Sequence, residues 1–460
     1  MRKIPLNLYK KTTAMKLLIF SCLLITASSF SQDHFSGIST SRRGGLLNAA
    51  ANPAELANLK TKYEIGVFSG SFNLSNNRLG FDDLVSGDDL EQKLFEGNED
   101  VDLRFDGEVY GPAFAMKMDK WAFSFTTKAY GKVNFTDVDP TIGDAVTNGA
   151  LSAIFGATTI ESNKNQRANG TTWGEIAFGV SRNVYEDDEH KFNVGVTLKL
   201  LFPGSYANLG LDRFSGTITN NLGDVEMTDA TARLNIAYSG DLAENFTDFS
   251  NYTSSIFGKL NGFATDLGVN YQWKDDNDGY KINAGAAVRN IGSMTFKDDN
   301  NNNTNYELNI PAGQSLDLNQ FENIESFEEI EQILLESGFL TATSSSRDFK
   351  VKLPTVFSAY ADVKIIPDFY VTVFGQQKMN KDDSDDQQIT AQNVFSVTPR
   401  YSTESFEVYA PLASNEISGF TAGLGIRAGG FFIGSSSIAT ALINDGEQAD
   451  FYLGFRIGLQ

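Results

Sequence analysis

Few residues in this chain are equipped for covalent or metal chemistry. Histidine occurs twice in 460 residues, at His34 and His190, and cysteine once, at Cys22. Nucleophilic catalysis needs a nucleophile, a base and a group that orients the base. Neither histidine has such a set around it, and the HExxH and GxSxG patterns are absent. Acidic tracts raise calcium next. "KDDNDGYKI" looks like half of a calcium loop, but Lys274 stands where the first carboxylate belongs and Gly285 where the bidentate glutamate belongs. Asp278-Gly279 makes it a hairpin turn instead. "KDDNNNNTN" and "KDDSDDQQ" are solvated loops by composition. The expectation is a protein that is not an enzyme, with no cofactor and no metal. Its chemistry must come from elements that position ordinary polar side chains around a path or a surface.

The first of those elements is a leader. Arg2, Lys3, Lys10, Lys11 and Lys16 precede the apolar run "LLIFSCLLITA", and "ASSFSQ" offers small residues for cleavage before Gln32. Residues 1–31 therefore form a secretory signal peptide. A lipoprotein reading at Cys22 fails because apolar residues continue beyond it and Phe20 suits a lipobox poorly. The mature chain of about 430 residues then has no cysteine, which excludes disulfides and thiolate metal sites. Net charge is −21, and removing the five leader cations makes it −26. Such a chain is a poor partner for nucleic acid. No later run is long enough for a transmembrane helix.

The dominant period is two. In "HKFNVGVTLKLLF" Phe192, Val194, Val196, Leu198 and Leu200 share one face, with Lys191, Asn193, Gly195, Thr197 and Lys199 on the other. "DLGVNYQWK", "WAFSFTTKAYG", "YKINAGAAVRN" and the C-terminal "FYLGFRIGLQ" alternate in the same way. A soluble sandwich and an outer-membrane barrel both give this pattern. Strand length, a polar face of Gly, Lys, Arg, Asn and Gln, and a final strand without a tail favour the barrel. So do aromatics near strand ends: Tyr63, Trp121, Tyr130, Trp173, Tyr185, Tyr271, Trp273 and Tyr280 read as interfacial girdles. With strands near 62–74, 102–117, 121–135, 172–185 and 190–203, short and long gaps alternate. Short turns fall at 119–120, 186–189, 275–279, 367–368 and 403–404, and long ones near 75–101, 136–171, 241–262 and 295–347. A periplasmic N-terminus puts every short gap on the periplasmic side.

The expected fold is all-β: a transmembrane antiparallel β-barrel over residues 61–460, of 14 to 16 strands and most simply 14, with a short N-terminal helical plug and helical loop insertions at about 136–171 and 295–347. One insertion, "FENIESFEEIEQILLESGFL", carries an apolar stripe of Phe321, Ile324, Phe327, Ile330, Ile333 and Leu334 among glutamates. It reads as a helix packed on the rim, or as a lid. "DPTIGDAVTNGALSAIFG" is a weaker case, capped by Asp139 with Pro140 in the first turn.

A short helix precedes the first strand. Asn52 is a good N-cap, Pro53 suits the first helical position, and Glu55 complements the helix dipole. Gly44, Gly45, Ala49, Ala50 and Ala51 are small enough to pack closely inside a lumen. Residues 32–60 are therefore expected to form a hatch or plug. Leader, then "STSRRGGLLNAAANPAELA", then an aromatic-rich alternating chain resembles the FadL-type outer-membrane transporters of hydrophobic compounds. That family carries an Asn-Pro-Ala hatch element, which Asn52, Pro53 and Ala54 match. "GPAFAMKM", "WGEIAFGVS" and the "KLP" of residues 352–354 are similar to a family of uncharacterised outer-membrane barrel proteins of Bacteroidota. The final Gln460 departs from the aromatic terminus common in barrels.

The resemblance implies an outer-membrane location and passive uptake or export of a small hydrophobic or amphipathic solute. It also implies contacts with outer-membrane lipid and lipopolysaccharide, and handling by the barrel-assembly machinery. The alternatives are a non-transporting barrel that docks secretion-system or periplasmic partners, and a secreted soluble β-protein. Ligand-binding residues cannot be assigned at this level, because lumen contacts come from many strands whose register is unset.

Overall fold

The computed structural model describes residues 34–460 except 87–89, 148–154, 222–223, 245–256, 276–278, 322–323, 383 and 445. The leader with Cys22 and the centre of the acidic turn at 275–279 lie outside the described residues.

Alternation closes the chain into a barrel. β1 (Tyr63–Asn76), β2 (Val101–Met118), β3 (Trp121–Val138), β5 (Asn165–Glu186) and β6 (His190–Asn221) follow one another as antiparallel neighbours, with β4 (Phe155–Glu161) set aside beside β6. The wall then runs through β8 (Gly262–Asp275) and β9 (Gly279–Phe296). β12 (Phe349–Lys352) and β13 (Val356–Ile366) both pair with β9 and make one interrupted wall strand. β14 (Phe369–Lys378) and β15 (Val394–Ser402) come next. β16 (Phe406–Tyr409) with β17 (Leu412–Asn415), and β18 (Gly419–Ala422) with β19 (Leu424–Ala428), are two further split strands. β20 (Phe431–Ser435) and β21 (Gln448–Leu459) complete the circuit, and β21 pairs with β1 from Tyr63↔Leu459 to Ser75↔Gln448. The result is a closed antiparallel barrel of 14 wall strands. Closure leaves the wall no free edge.

The two faces sort as their chemistry requires. Phe123, Phe192, Leu198, Leu267, Val269, Phe451 and Phe455 point outward and are exposed, forming an apolar belt. Lys128, Asn193, Lys199, Asp266, Asn270 and Tyr452 point inward and are buried. An exposed apolar belt around a buried polar interior inverts the soluble pattern and suits a lipid surround. Among the described residues no helix is long and apolar enough to cross a membrane.

The short turns are where the sequence puts them. Asp119 and Asp368 adopt φ of 52° and 62° at the two-residue turns after β2 and β13. Aspartate tolerates this left-handed conformation better than most residues. The girdle needs correction for three aromatics. Trp121 and Tyr185 are exposed at the turn end, but Trp173 and Tyr280 are buried in the lumen and Tyr130 stacks on Trp173 at 4.3 Å. Tyr130 and Trp173 are register partners and share their face with Lys128 and Glu175. Their position along the strand fits a girdle, but parity decides the face.

The long gaps hold more structure than loops. β6 runs 32 residues, roughly 100 Å of extended chain against a hydrocarbon core of about 30 Å. Its first part, His190–Leu201, pairs with β8 in the wall, and its last part pairs with β7 (Asp224–Ser239) and β4 beyond it. β7 pairs with β10 (Asn302–Asp317), and β10 with β11 (Leu340–Ser346). The stretches 136–171 and 295–347 thus contribute strands as well as helices to an outer sheet at the loop end.

That sheet has its own apolar core, including Phe214, Met227, Ile236, Leu308 and Ile310. The helix Phe327–Glu336 covers it with Phe327 and Leu334, and Ser326 Oγ caps it from Glu329 N at 3.1 Å. Its acidic face is not all solvated. Glu331 turns inward and accepts hydrogen bonds from Tyr238 OH at 3.0 Å, from Asn302 Nδ2 at 2.7 Å and from Tyr306 OH. Burial, with the Glu331 carboxylate second for Tyr238, holds the Tyr238 and Tyr306 phenols well above their ordinary range. The helix Pro140–Thr147 begins as read, with Asp139 Oδ1 accepting from Thr141 N at 2.9 Å.

Candidate functional site

Residues 34–60 lie inside the barrel. The segment holds a six-residue α-helix, Leu46–Ala51, and a 3-10 helix, Pro53–Asn58, where the sequence suggests one short helix. Asn52 separates the two and caps the second, its Oδ1 accepting from Ala54 N at 3.0 Å. Gly45 begins the first with φ of 58°, and a Cβ there would lie 1.9 Å from Arg456 Nη1. Gly44 is equally constrained, since its Cβ would meet Asn48 Oδ1 at 2.0 Å.

Three groups of contacts tie the segment to the wall. The first is aromatic and hydrogen-bonded. Phe35 packs edge-on to Tyr110 at 5.4 Å, Tyr452 OH donates to Ser36 O at 2.6 Å, and Arg400 Nη2 donates to Gly37 O at 2.5 Å. Ser41 Oγ donates to Glu407 Oε2 at 2.9 Å, and Arg400 is itself held between Asp362 and Glu407 at 3.3 Å each. The second is Glu64, which accepts from Leu46 N at 2.7 Å while pairing with Arg456 at 3.1 Å. The third surrounds the 3-10 helix. Glu55 Oε1 accepts from Asn270 Nδ2 at 2.9 Å, from Asn283 Nδ2 at 2.8 Å and from Tyr360 OH. Ser181 Oγ donates to Ala54 O at 3.1 Å, and Lys191 Nζ to Asn58 Oδ1 at 2.9 Å.

The structure places Asn52, Pro53 and Ala54 on a seat of three glycines. Asn52 is fully buried, and its Nδ2 donates to Val269 O at 2.9 Å. A Cβ at Gly268 would lie 2.0 Å from Asn52 Oδ1, and one at Gly285 2.5 Å from Asn52 Nδ2. A Cβ at Gly195 would lie 2.3 Å from Pro53 C and 2.5 Å from Ala54 N. Gly195 and Gly268 are register partners on β6 and β8, and Gly285 follows on β9 opposite Asn270. Missing side chains on three adjacent strands make a hollow in which backbone meets backbone. Sequence reasoning put Gly195 and Gly268 on the polar face of their strands without finding the seat. The signal available was three lumen-parity glycines at similar heights on consecutive strands.

The segment leaves a cavity on each side. Toward the loop end lies one of about 100 Å³, bounded by His34, Lys128, Tyr130, Trp173, Glu175 and Arg289 among others. Toward the turn end lies one of about 470 Å³, bounded by Arg42, Arg43, Glu64, Arg427 and Arg456 among others. Around the loop-side cavity the lumen carries dense ion pairing: Asp106 with Arg104 and Lys132 at 2.6 Å each, Glu108 with Lys128 at 3.2 Å, and Asp266 with Lys199 at 2.8 Å. Among the described residues no group of three or more His, Cys, Asp or Glu side chains is placed to hold a metal.

No curated protein matches the chain. Solved structures to which it is similar include the toluene transporter TbuX of Ralstonia pickettii, at 11% identity over 93% of this chain and 98% of that one, with a TM-score of 0.44. The toluene transporter TodX of P. putida is similar at 9% identity over 91% of this chain and 95% of that one, also at 0.44. The translocator domain of the autotransporter NalP from Neisseria meningitidis is similar at 7% identity over 89% and 94%, at 0.34. A family model matches residues 53–436, and the chain belongs to that family, described as a family of unknown function (DUF5723).

Proposed function

We propose that the protein is an outer-membrane channel, exported by the leader at 1–31, which passes a small amphipathic solute when the segment 32–60 leaves its seat and so acts as a plug. The observation that carries this is the mode of seating. The plug divides the lumen into two cavities and is held by apolar packing of Phe35, Ile38, Leu46, Leu47 and Leu56 and, over a glycine hollow, by hydrogen bonds. Those hydrogen bonds can exchange for water without disturbing strand pairing. A wall that mixes aromatics with paired charges suits an amphipathic solute better than a bare hydrocarbon. The apolar belt contacts outer-membrane lipid, the loop end meets lipopolysaccharide outside, the turn end faces the periplasm, and the barrel-assembly machinery closes β1 against β21. Proteoliposome swelling tests the reading. Deleting Gly44 to Leu56 should raise solute entry while the barrel keeps its heat-modifiable mobility on gels.

A second reading is favoured by the outer sheet, whose independent apolar core extends well beyond what a pore needs. In it the barrel does not transport but docks secretion-system or periplasmic partners. Unchanged swelling in the folded deletion variant would select it.

A further inference from the structure

We propose that the transported ligand is a small organic anion, bearing a carboxylate or phosphate, and that the two cavities flanking the plug are its stations. This rests on the channel reading above and adds the sign of the solute's charge.

The chain as a whole is strongly acidic, with net charge −21. Its cavities are the reverse. On the loop side Arg104, Lys128, Lys132 and Lys199 are each committed to a carboxylate within 3.2 Å. Arg289 lines the same cavity and is not. Its Nη2 donates to Gln376 Oε1 at 2.5 Å, its buried Nε has no hydrogen-bond partner, and among the described residues no carboxylate stands within ion-pair distance. Trp173, only 3% exposed, lines that cavity too, and its Nε1 donor is also unpartnered. Two buried donors without acceptors therefore belong to side chains that line one small space, whose lining also includes the apolar Leu353, Pro354, Val356 and Phe374. One acceptor is spare as well: Glu175 Oε1 has no hydrogen bond, while Lys199 stands 3.8 Å from its other oxygen. The Glu175 carboxylate offsets charge beside Lys199 and leaves Arg289 Nε and Trp173 Nε1 without an acceptor.

On the turn side four arginines converge. Arg456 pairs with Glu64 at 3.1 Å, and Arg427 pairs with Glu407 at 3.9 Å while giving donors to Gly429 O at 2.8 Å and Thr403 O at 3.1 Å. Arg42 lies 5.3 Å from the Tyr370 ring centroid and 5.7 Å from that of Tyr280, without a carboxylate at ion-pair distance among the described residues. The Arg43 guanidinium has no hydrogen bond or ion pair among the described residues, and its Nε is buried. The carboxylates bordering this cavity are Glu55, Glu64 and Glu404, and Glu55 is already saturated by Asn270, Asn283 and Tyr360. Glu404 and Glu407 act on Arg43 from beyond ion-pair distance, and guanidinium groups partly removed from bulk water without a close counter-charge are costly and draw an anion. Arginine's planar fork matches carboxylate and phosphate oxygens. An acidic exterior slows the approach of an anion, and local cations inside a low-dielectric tube reverse that field where it matters.

Two measurements on the full-length chain test this. In planar bilayers, the reversal potential in a KCl gradient is read for the wild type and for the plug-unseating variant Gly195→Ala. Chloride permeability should exceed that of potassium by about threefold or more, and Arg43→Gln with Arg289→Gln should bring the ratio near one. Potassium preference would overturn the anion assignment and leave the channel standing. In detergent, Trp121→Phe with Trp273→Phe leaves Trp173 as the reporter. Benzoate should alter its emission at concentrations about tenfold below those needed for benzyl alcohol or benzylamine, and Arg289→Gln should remove that advantage, as expected for one lost charge-assisted bond. Equal or tighter binding of the neutral or cationic compound overturns the proposal. Benzoate binding without current in any inserted chain would keep the anion site and refute the channel.

Discussion

The glycine seat makes a quantitative claim about the plug. In Gly195→Ala the new methyl would sit 2.3 Å from Pro53 C and 2.5 Å from Ala54 N. These are backbone atoms, so no rotamer change relieves the clash, and Asn52 to Ala54 must withdraw by an ångström or more. Withdrawal breaks the bonds from Asn52 Nδ2 to Val269 O and from Ser181 Oγ to Ala54 O, at 2.9 and 3.1 Å. Each is worth about 0.5–1.5 kcal/mol net, and overpacking adds about 1–3 kcal/mol. Docking should weaken by roughly 2–6 kcal/mol, which multiplies the undocked population by about 30 to more than 10,000. The wall should not suffer, since alanine is better in a strand than glycine by about 0.5–1 kcal/mol. The assay is thiol labelling at Ala57→Cys, a position only 2% exposed in the docked state. With reclosing faster than reaction, the labelling rate reports the undocked fraction. Gly131→Ala is the control, because nothing lies within 4 Å of its Cβ position. A labelling rate that stays at the wild-type value in Gly195→Ala, with the barrel still heat-modifiable, would refute the seat.

Three further outcomes follow from other parts of the molecule. Asn52→Ala removes a cap worth about 1 kcal/mol and the bond to Val269, so Ala57→Cys labelling should rise less than for Gly195→Ala, with barrel melting unchanged. Lys120→Cys lies in a turn and Asp299→Cys in an outer connection, so a membrane-impermeant maleimide on intact cells should label the second alone; labelling only the first reverses the topology. Asp187 accepts from Tyr185 OH at 2.6 Å and from the His190 and Glu189 amides at 2.7 and 2.9 Å, and these bonds, led by that from Tyr185, hold its carboxyl at about 2. Because its pKa is depressed on folding, the turn's order should be complete above the ordinary carboxylate range and lost as pH falls through about 2. A titration of the Asp187 side-chain resonance near the unperturbed value would contradict this.

How much of this was legible in the sequence depended on whether the cause was local. Wall strands were readable because the lipid selects every second residue, as Phe192, Val194 and Leu198 against Asn193 and Lys199 show. Turns such as Asp119-Lys120 were readable because so few residues tolerate their φ. The outer sheet was not, because β6 runs on without a turn from membrane to water while its partners change from β8 to β7, and alternation lapses over 203–208, where every residue is buried. Tyr130 and Trp173 were assignable in principle, since Lys128, Lys132 and Glu175 lie two residues away on the same face. Tyr280 was not, because the register skips Lys281 between Tyr280 and Ile282 and shifts its parity. The same limit explains the site. Asn52, Pro53 and Ala54 announce a capped start through their own side chains, whereas the hollow that receives them consists of atoms that Gly195, Gly268 and Gly285 lack. A functional surface made by omission appears only when strands from three parts of the chain are set side by side. For that reason the seat, rather than the motif, is where a substitution should separate a gate from a filler.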